Sequence, residues 1–319
     1  MDVIGIGAMN MDHLYSVRNL VIDSEDIVDE FELYPGGSSA NTTFALGRLG
    51  ARCGFIGVVG NDPDGKALIA SMESAGVETQ HIRVDSGAPT GAVLGLSDRT
   101  GRRSLYVAAG ANNRLDISDI DTNYLNSSRI VHMSSFVKDD VFSLLVDSIR
   151  KLSRDVKFSF SPGSLYSSKG MKALSPLLER TDVLFINRTE LEAMSGTSYT
   201  KGALDCIKRG CSKVVVTLGR GLQVTDKRTI ASYIRDSNRE YQVDAIKMEW
   251  QPVTETTGAG DAFAAGFLFG YLKGKTLNEC AVAGDIVAHF SIGKKGARSG
   301  LPSSDELSKY FFEATGEKF

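Results

Sequence analysis

The residues best equipped for chemistry are crowded into one run, Glu255-Thr256-Thr257-Gly258-Ala259-Gly260-Asp261-Ala262-Phe263. Gly258 and Gly260 allow a tight backbone, and the run that follows over 262–272 is rich in apolar helix formers, so the glycines are expected at a helix start. The first N–H groups of a helix lack intrahelical partners and, with the helix dipole, make a site for an anion. A carboxylate placed there, Asp261, would repel a bound phosphate. That repulsion makes sense where the carboxylate must take a proton from a hydroxyl attacking a phosphoryl group, with the backbone of Gly258, Ala259 and Gly260 stabilising the developing charge. The alternative without chemistry is an acidic helix cap behind a flexible loop.

These residues need a scaffold, and the chain alternates short β-branched runs with amphipathic stretches. Residues 3–7, 53–59, 130–133, 157–160, 183–186 and 214–218 read as buried strands, and 41–49, 66–75, 139–152, 172–178 and 202–208 as helices. Gly50, Gly76 and Gly210 fall where helix-ending glycines belong. The alternation predicts a mainly parallel sheet covered on both faces, with ligands at the carboxyl ends of its strands. Beyond Thr254 the pattern turns helical, over 262–273, 277–292 and 305–314. Residues 15–33 alternate apolar and acidic side chains, and 90–108 reads as a hairpin closed by Asp98-Arg99-Thr100-Gly101; both suggest β-structure outside the main sheet.

Two familiar phosphate motifs fail on inspection. Gly5-Ile6-Gly7-Ala8-Met9-Asn10 begins like a dinucleotide fingerprint but has Asn at the third glycine and leads into Met11-Asp12-His13, which opens no helix. Gly60-Asn61-Asp62-Pro63-Asp64-Gly65-Lys66-Ala67 has P-loop spacing. Ala67 lacks the hydroxyl that a P-loop offers to magnesium, however, and Asp62 and Asp64 would put two negative charges into a phosphate cradle.

The run at 255–263 resembles the C-terminal signature of the ribokinase-like (PfkB) family of carbohydrate and nucleoside kinases, usually Asp-Thr-x-Gly-Ala-Gly-Asp, with Glu255 in place of the first Asp. The family's other signature resembles Gly36-Gly37-Ser38-Ser39-Ala40-Asn41 followed by 45–50, and weaker matches occur in the expected order over 3–302. The resemblance implies a ribokinase-like three-layer α/β/α sandwich, a single domain over 1–319 with a mainly parallel central sheet. A small β-lid would be formed by segments 11–35 and 88–109 and would carry a homodimer contact. It implies Asp261 as base and Gly258, Ala259 and Gly260 as the anion hole, with Asn10, Asp12, Gly36, Gly37 and Asn41 holding the acceptor at the end of the first strand. ATP would be co-substrate, contacted by Asn187, Thr217, Gly219 and Gly221, and Glu190 would hold Mg2+ through water. Asn187-Arg188-Thr189-Glu190 could equally be a capping box opening a helix. In Thr217-Leu218-Gly219-Arg220-Gly221 the second glycine comes one residue earlier than in the family pattern, which bears on its nucleotide contacts. Glu255 stands where the family's Asp adjoins a monovalent-cation site, so such a cation is left open. Gly296-Ala297-Arg298-Ser299-Gly300 matches the family pattern near the adenine and cation sites, and 60–67 matches its Gly-x-x-Gly-x-Asp-x-x-Gly.

Composition narrows the classes. With 319 residues, 42% hydrophobic and 24% charged, the chain can bury a sizeable core, and a formal net charge of −3 offers no footprint for nucleic acid or an acidic membrane. Cys53, Cys206, Cys211 and Cys280 form no metal-spaced cluster with the four histidines. An acid near the N-terminus and the lack of a long apolar run predict a cytoplasmic protein without a membrane partner, in which the sequons at Asn41, Asn126 and Asn187 are chance matches. Rival classes are a catalytically silent sugar sensor on the same scaffold, opposed by Asp261, and a dinucleotide oxidoreductase, opposed by the failed fingerprint.

The acceptor is expected to be neutral. Ser38 stands where family sugar kinases often carry Lys, and nothing in the sequence clearly supplies a basic pocket for a phosphosugar. Met9, Met11, Met133, Phe136 and Phe160 fall at or beyond strand ends and could offer a surface on which a base stacks. There is also a general resemblance to archaeal-type nucleoside kinases of the family in 36–41 and in Phe160-Ser161-Pro162-Gly163, with Ser161 replacing the usual Asp. A nucleoside kinase making 5′-monophosphates is therefore expected, with ribose or another free sugar as the alternative acceptor.

Overall fold

The β-branched runs do form strands buried on both faces. Along Cys53–Gly60, Phe55 and Val59 belong to one hydrophobic cluster while Ile56 and Val58 belong to another on the opposite face. The computed structural model describes residues 1–100, 102–226, 228–246 and 252–319. In chain order the strands are β1 (Val3–Ile6), β2 (Asn10–Val17), β3 (Val28–Gly36), β4 (Cys53–Gly60), β5 (Ile82–Asp85), β6 (Gly91–Asp98), β7 (Arg103–Ala108), β8 (Ile130–Ser134), β9 (Lys157–Ser161), β10 (Val183–Asn187), β11 (Lys213–Thr225), β12 (Arg228–Asp236) and β13 (Glu240–Asp244). The helices are α1 (Ser38–Arg48), α2 (Pro63–Ser74), α3 (Thr122–Asn126), α4 (Asp139–Arg150), α5 (Gly163–Ser167), α6 (Gly170–Leu178), α7 (Arg188–Ser195), α8 (Tyr199–Lys208), α9 (Ala259–Leu272), α10 (Leu277–Ile292) and α11 (Ser304–Thr315).

Among the described residues, nine strands form one sheet in the order β13-β12-β11-β10-β9-β8-β1-β4-β5. From β11 to β5 every neighbouring pair is parallel, and β12 and β13 extend the sheet antiparallel. Helices α1, α2, α9, α10 and α11 bury their apolar residues on one face, and α4, α6, α7 and α8 on the other. The result is the expected three-layer sandwich, with the carboxyl ends of β1, β8, β9, β10 and β11 along one edge. No helix among the described residues is long and apolar enough to cross a membrane.

The second sheet has the order β3-β2-β6-β7 and is the small β-lid. Its hairpin of β6 and β7 is organised by Asp98, whose Oδ1 accepts from Thr100 N at 2.9 Å and Arg102 N at 3.1 Å; Gly101, expected in the same turn, lies outside the described residues. Asn10 and Asp12 sit on β2, within the lid, rather than at the end of β1, which stops at Ile6. The first helix likewise starts at Ser38, three residues before the expected Asn41.

Candidate active site

Gly37 sets the geometry of one wall. It caps α1 with φ near +98°, and a Cβ there would lie 2.1 Å from the Ala8 carbonyl oxygen, so only glycine fits both the backbone and the space. Gly36 is as confined, because a Cβ would lie 2.5 Å from Asp12 Oδ1. The two glycines thus bring the start of α1 against the lid strand that bears Asp12. Ser39 anchors the same turn to β8, its N–H donating to Ser134 Oγ at 3.0 Å and its hydroxyl to the His132 carbonyl at 3.2 Å.

The opposite wall is the start of α9. Gly258 caps it in the left-handed region, φ 75°, with Asp261 in the first turn. Both carboxylate oxygens of Asp261 are met from α1: Ser38 Oγ donates to Oδ1 at 2.6 Å and Asn41 Nδ2 donates to Oδ2 at 3.0 Å. Thr42 Oγ1 donates to the Asp261 carbonyl at 3.3 Å. Ala259, one of the three expected anion-hole donors, turns its N–H to the Thr256 carbonyl at 3.3 Å, whereas Gly260 is exposed with open space around its α-carbon. The first-turn donors best placed for an anion are therefore those from Gly260 onward.

Two carboxyls here are shifted toward neutrality. Burial pushes Asp12 up to about 7, aided by the negative charges of Glu255 and Asp261 and opposed by Arg298. Burial likewise raises Asp261 to about 6; its hydrogen bonds from Ser38 and Asn41 and the charge of Arg298 pull down, and Glu190 pushes up. A carboxyl poised near neutrality beside a second one whose Oδ1 is buried without a partner among the described residues is an arrangement suited to receiving hydroxyls.

The nucleotide residues expected from the sequence gather nearby along the same edge. Asn187 and Thr217 are paired across the parallel strands β10 and β11. Asn187 caps α7 and forms a capping box with Glu190: Asn187 Oδ1 accepts from Glu190 N at 2.8 Å, and Glu190 Oε2 accepts from Asn187 N at 3.2 Å. The box uses only one oxygen of Glu190, and burial raises its pKa. Gly219 and Gly221, at φ 61° and 89°, lie in a bulge of β11, where the register to β12 slips between Thr217 and Leu222. The early second glycine thus gives a bulged strand.

Glu255 bridges two loops, accepting from Thr257 Oγ1 at 2.6 Å and from Gly296 N at 2.9 Å. Asn10 Oδ1 accepts from Asn112 Nδ2 at 2.9 Å, and Asn112 also donates to the Met9 and Ala109 carbonyls, clamping the root of the lid. Neither Asn112 nor the buried Arg298 was singled out as a site residue in the sequence; the signal for Arg298 was the match of residues 296–300 to the family pattern. The expected stacking surface of Met9, Met11, Met133, Phe136 and Phe160 does not form. All five are core residues, none more than 4% exposed, because Met9 and Met11 pack into the hydrophobic cluster on one side of the main sheet and Met133, Phe136 and Phe160 into the cluster on the other. The P-loop reading of 60–67 fails structurally as well: Asp62 caps α2 through Gly65 N at 2.8 Å and accepts from Thr90 N at 2.7 Å, filling the would-be cradle.

A parallel α/β sandwich with a β-lid and a carboxylate at a glycine-capped helix start is the frame, and the match to a kinase family makes the chain a phosphotransferase acting on hydroxyl groups. Residues 2–304 match the pfkB family of carbohydrate kinases, and the chain belongs to that family. It is 34% identical over 259 residues to an uncharacterised sugar kinase of Archaeoglobus fulgidus, covering 81% of this chain and 98% of the relative. It is 27% identical over 323 residues to a ribokinase of Haemophilus influenzae, covering 97% and 98%. Among solved structures it is similar to the nucleoside kinase of Methanocaldococcus jannaschii, with a TM-score of 0.82 at 22% identity, covering 98% of this chain and 99% of that one. The protein is a sugar or nucleoside kinase.

Proposed function

We propose that the protein transfers the γ-phosphoryl group of ATP to the primary hydroxyl of a neutral acceptor, with a nucleoside preferred, yielding the 5′-monophosphate and ADP. The observation that carries this reading is Asp261, held by Ser38 and Asn41 at the start of α9 and raised to about 6. The acceptor hydroxyl gives its proton to the Asp261 carboxylate as its oxygen bonds to the γ-phosphorus, and the bond to the ADP oxygen breaks in line. The first-turn backbone N–H groups of α9, from Gly260 onward, meet the developing charge, the Ala259 N–H being turned to the Thr256 carbonyl. Asp12, Asn10 and the backbone of Gly36 and Gly37 hold the other hydroxyls, with Asn41 bracing the base. A general base of this kind contributes about 10²- to 10⁴-fold.

ATP lies along Asn187, Thr217, Gly219 and Gly221 in this reading. The donor set fits magnesium, which keeps most of its waters and takes few protein carboxylates: the capping box leaves Glu190 a second oxygen, and burial makes that carboxylate gain from a nearby cation. When bound, the ion would neutralise charge on the β- and γ-phosphate oxygens. Glu255 serves as a tie between the signature loop and the C-terminal loop, both its oxygens being engaged, so no monovalent cation is needed to explain it.

The lid supports a nucleoside. Paired residues share a face, and the register places Leu14, Val93 and Val107 on the face of Asp12 and Tyr34. That face looks toward the catalytic loops, since Tyr34 packs on Gly296 and Glu32 Oε2 accepts from Lys295 Nζ at 2.7 Å. An apolar roof suits a base better than a free sugar. Arg298 spends its donors on protein atoms, which fits a neutral acceptor over a phosphosugar. The lid's other face exposes Phe31, Leu33, Leu94 and Tyr106, an apolar patch suited to a second copy of the chain in a cytoplasmic homodimer. Initial rates with ATP and adenosine, inosine, cytidine, ribose and fructose test the reading. A kcat/KM for ribose or fructose above that of every nucleoside overturns the acceptor, and no turnover with any alcohol overturns the reaction.

A further inference from the structure

We propose that Arg298 is a positioning residue for phosphoryl transfer, turning Asn41 so that its amide donates to Asp261 and fixing the Gly36 carbonyl beside Asp12. The inference rests on the kinase reading above and adds to it a residue 257 positions from Asn41 in the chain.

Arg298 is 8% exposed, and its guanidinium sits over the Phe44 ring, 5.2 Å from the centroid. Nε donates to Asn41 Oδ1 at 2.9 Å, Nη2 to the Gly36 carbonyl at 3.1 Å, and Nη1 to Ser71 Oγ at 3.0 Å and Met72 Sδ at 3.6 Å. One planar group therefore ties α1, α2 and the end of β3 to the C-terminal loop. The consequence for Asn41 follows from chemistry alone. A guanidinium only donates, so it must face the carbonyl end of the amide, and the amide's two N–H donors must face the other way. They face Asp261, whose Oδ2 lies 3.0 Å from Nδ2. Without the arginine the amide is free to turn its oxygen toward the carboxylate, a repulsive contact for an ionised base.

The electrostatics run in the same direction. Four carboxylates approach the site: Asp12 on β2, Glu190 on α7, Glu255 before α9 and Asp261 on α9. The charge of Arg298 favours the ionised forms of both Asp12 and Asp261, and their field in turn partly offsets the burial that lowers the arginine to about 10. The guanidinium remains charged at neutral pH. A buried cation is costly unless paired, and filling the space alone would be better served by an apolar side chain.

The test uses the full chain as wild type, Arg298→Gln and Arg298→Lys, each with ATP and the best wild-type acceptor, measuring kcat/KM across pH and melting temperature. Loss of the charge in the Gln variant should move the acid limb of kcat/KM upward by about one pH unit or more. Its acceptor KM should rise while its ATP KM stays within about twofold, an effect confined to groups that hold the acceptor. The Lys variant keeps the charge and loses the planar fork, so its acid limb should stay near wild type while its acceptor KM rises about tenfold. A Gln variant with a lower melting temperature but an unmoved acid limb and acceptor KM overturns the positioning role. If the Gln variant does not fold, the Lys variant decides alone, and an unchanged acceptor KM overturns it. Wild type inert toward every alcohol overturns the kinase reading, and this inference with it; an active wild type beside unshifted variants overturns only the inference.

Discussion

Ser38 Oγ lies 2.6 Å from Asp261 Oδ1, joining two residues 223 positions apart at the starts of helices α1 and α9. The N-cap of α1 is Gly37, which has no side chain to cap with, and the hydroxyl of Ser38 in the first turn reaches across to the carboxylate of α9. The bond favours the ionised carboxylate. Ser38→Ala should therefore raise the pKa of Asp261 above its value of about 6 and move the acid limb of kcat/KM upward, by up to about one pH unit. The base must be ionised to accept a proton, so activity is lost on the acid side. An acid limb that stays put or moves down in the Ala variant would exclude this bond from tuning the base.

Asp261→Asn keeps the size of the side chain and its place between Ser38 and Asn41 but removes the proton acceptor. Turnover should fall at least about 10²-fold while the Kd for ATP changes little. Single-turnover rates with bound nucleotide check this, and near wild-type turnover would remove Asp261 from the chemistry.

The capping box sharpens what Glu190 should do. Glutamine serves a capping box as glutamate does, so Glu190→Gln should leave α7 intact and the melting temperature within a degree or two. If the carboxylate also serves magnesium, the same variant should need several-fold more magnesium for half-maximal activity at unchanged acceptor KM. An unaltered magnesium titration would leave Glu190 as a cap alone.

How much of this was legible in the sequence depended on how local each signal was. Asp261 could be read because the glycines that shape its turn are adjacent to it, and Gly37 because a paired glycine before a helix marks an unusual backbone. The parallel core was legible because β-branched runs buried on both faces need no partner to declare themselves. Asn112 acts through tertiary contacts that leave no period or motif, and the motif at 296–300 gave no sign that Arg298 reaches Asn41 and Gly36. Met9, Met11, Met133, Phe136 and Phe160 lay near strand ends as expected, but the face and depth of a strand residue are set by what packs over it. The hairpin of β12 and β13 went unread because polar residues interrupt the buried Ile230, Tyr233 and Ile234 of β12, and β13, at the sheet edge, is mostly polar.

Asp12 should cost the fold stability at the pH where the enzyme works. Its carboxyl is near 7 in the folded protein against about 3.9 for an unperturbed aspartate, so the native state holds the proton more tightly than the unfolded chain. The stabilising contribution is full below about pH 4 and is lost as pH rises through about 7. Asp12→Asn, which mimics the protonated form, should be more stable than wild type at pH 8 by about 2 kcal/mol or more, with the gain shrinking as pH falls toward 4. Urea unfolding at several pH values measures it. The same variant should bind acceptor more weakly, since a carboxylate that receives two hydroxyls becomes a group that accepts only at one end.

A change at Val93 tests the nucleoside against the free sugar. Val93 is directly paired with Asp12 on β2 and with Val107 on β7, so its side chain shares their face of the lid. In the nucleoside reading a base seated under the lid lies against Val93 and Leu14, whereas a free ribose, held by Asp12 and the glycine turn, has no base to place against them. Val93→Ser replaces one methyl by a hydroxyl and removes the other on a half-buried strand, so the fold should tolerate it. Replacing the isopropyl group by a hydroxymethyl in an apolar contact is worth roughly 1–2 kcal/mol, a factor of about 10 in kcat/KM. The nucleosides should lose about that factor and ribose should be unaffected, measured in parallel on one preparation. Equal losses for both would mean that Val93 supports the lid without touching a base, and the apolar roof would cease to argue for a nucleoside.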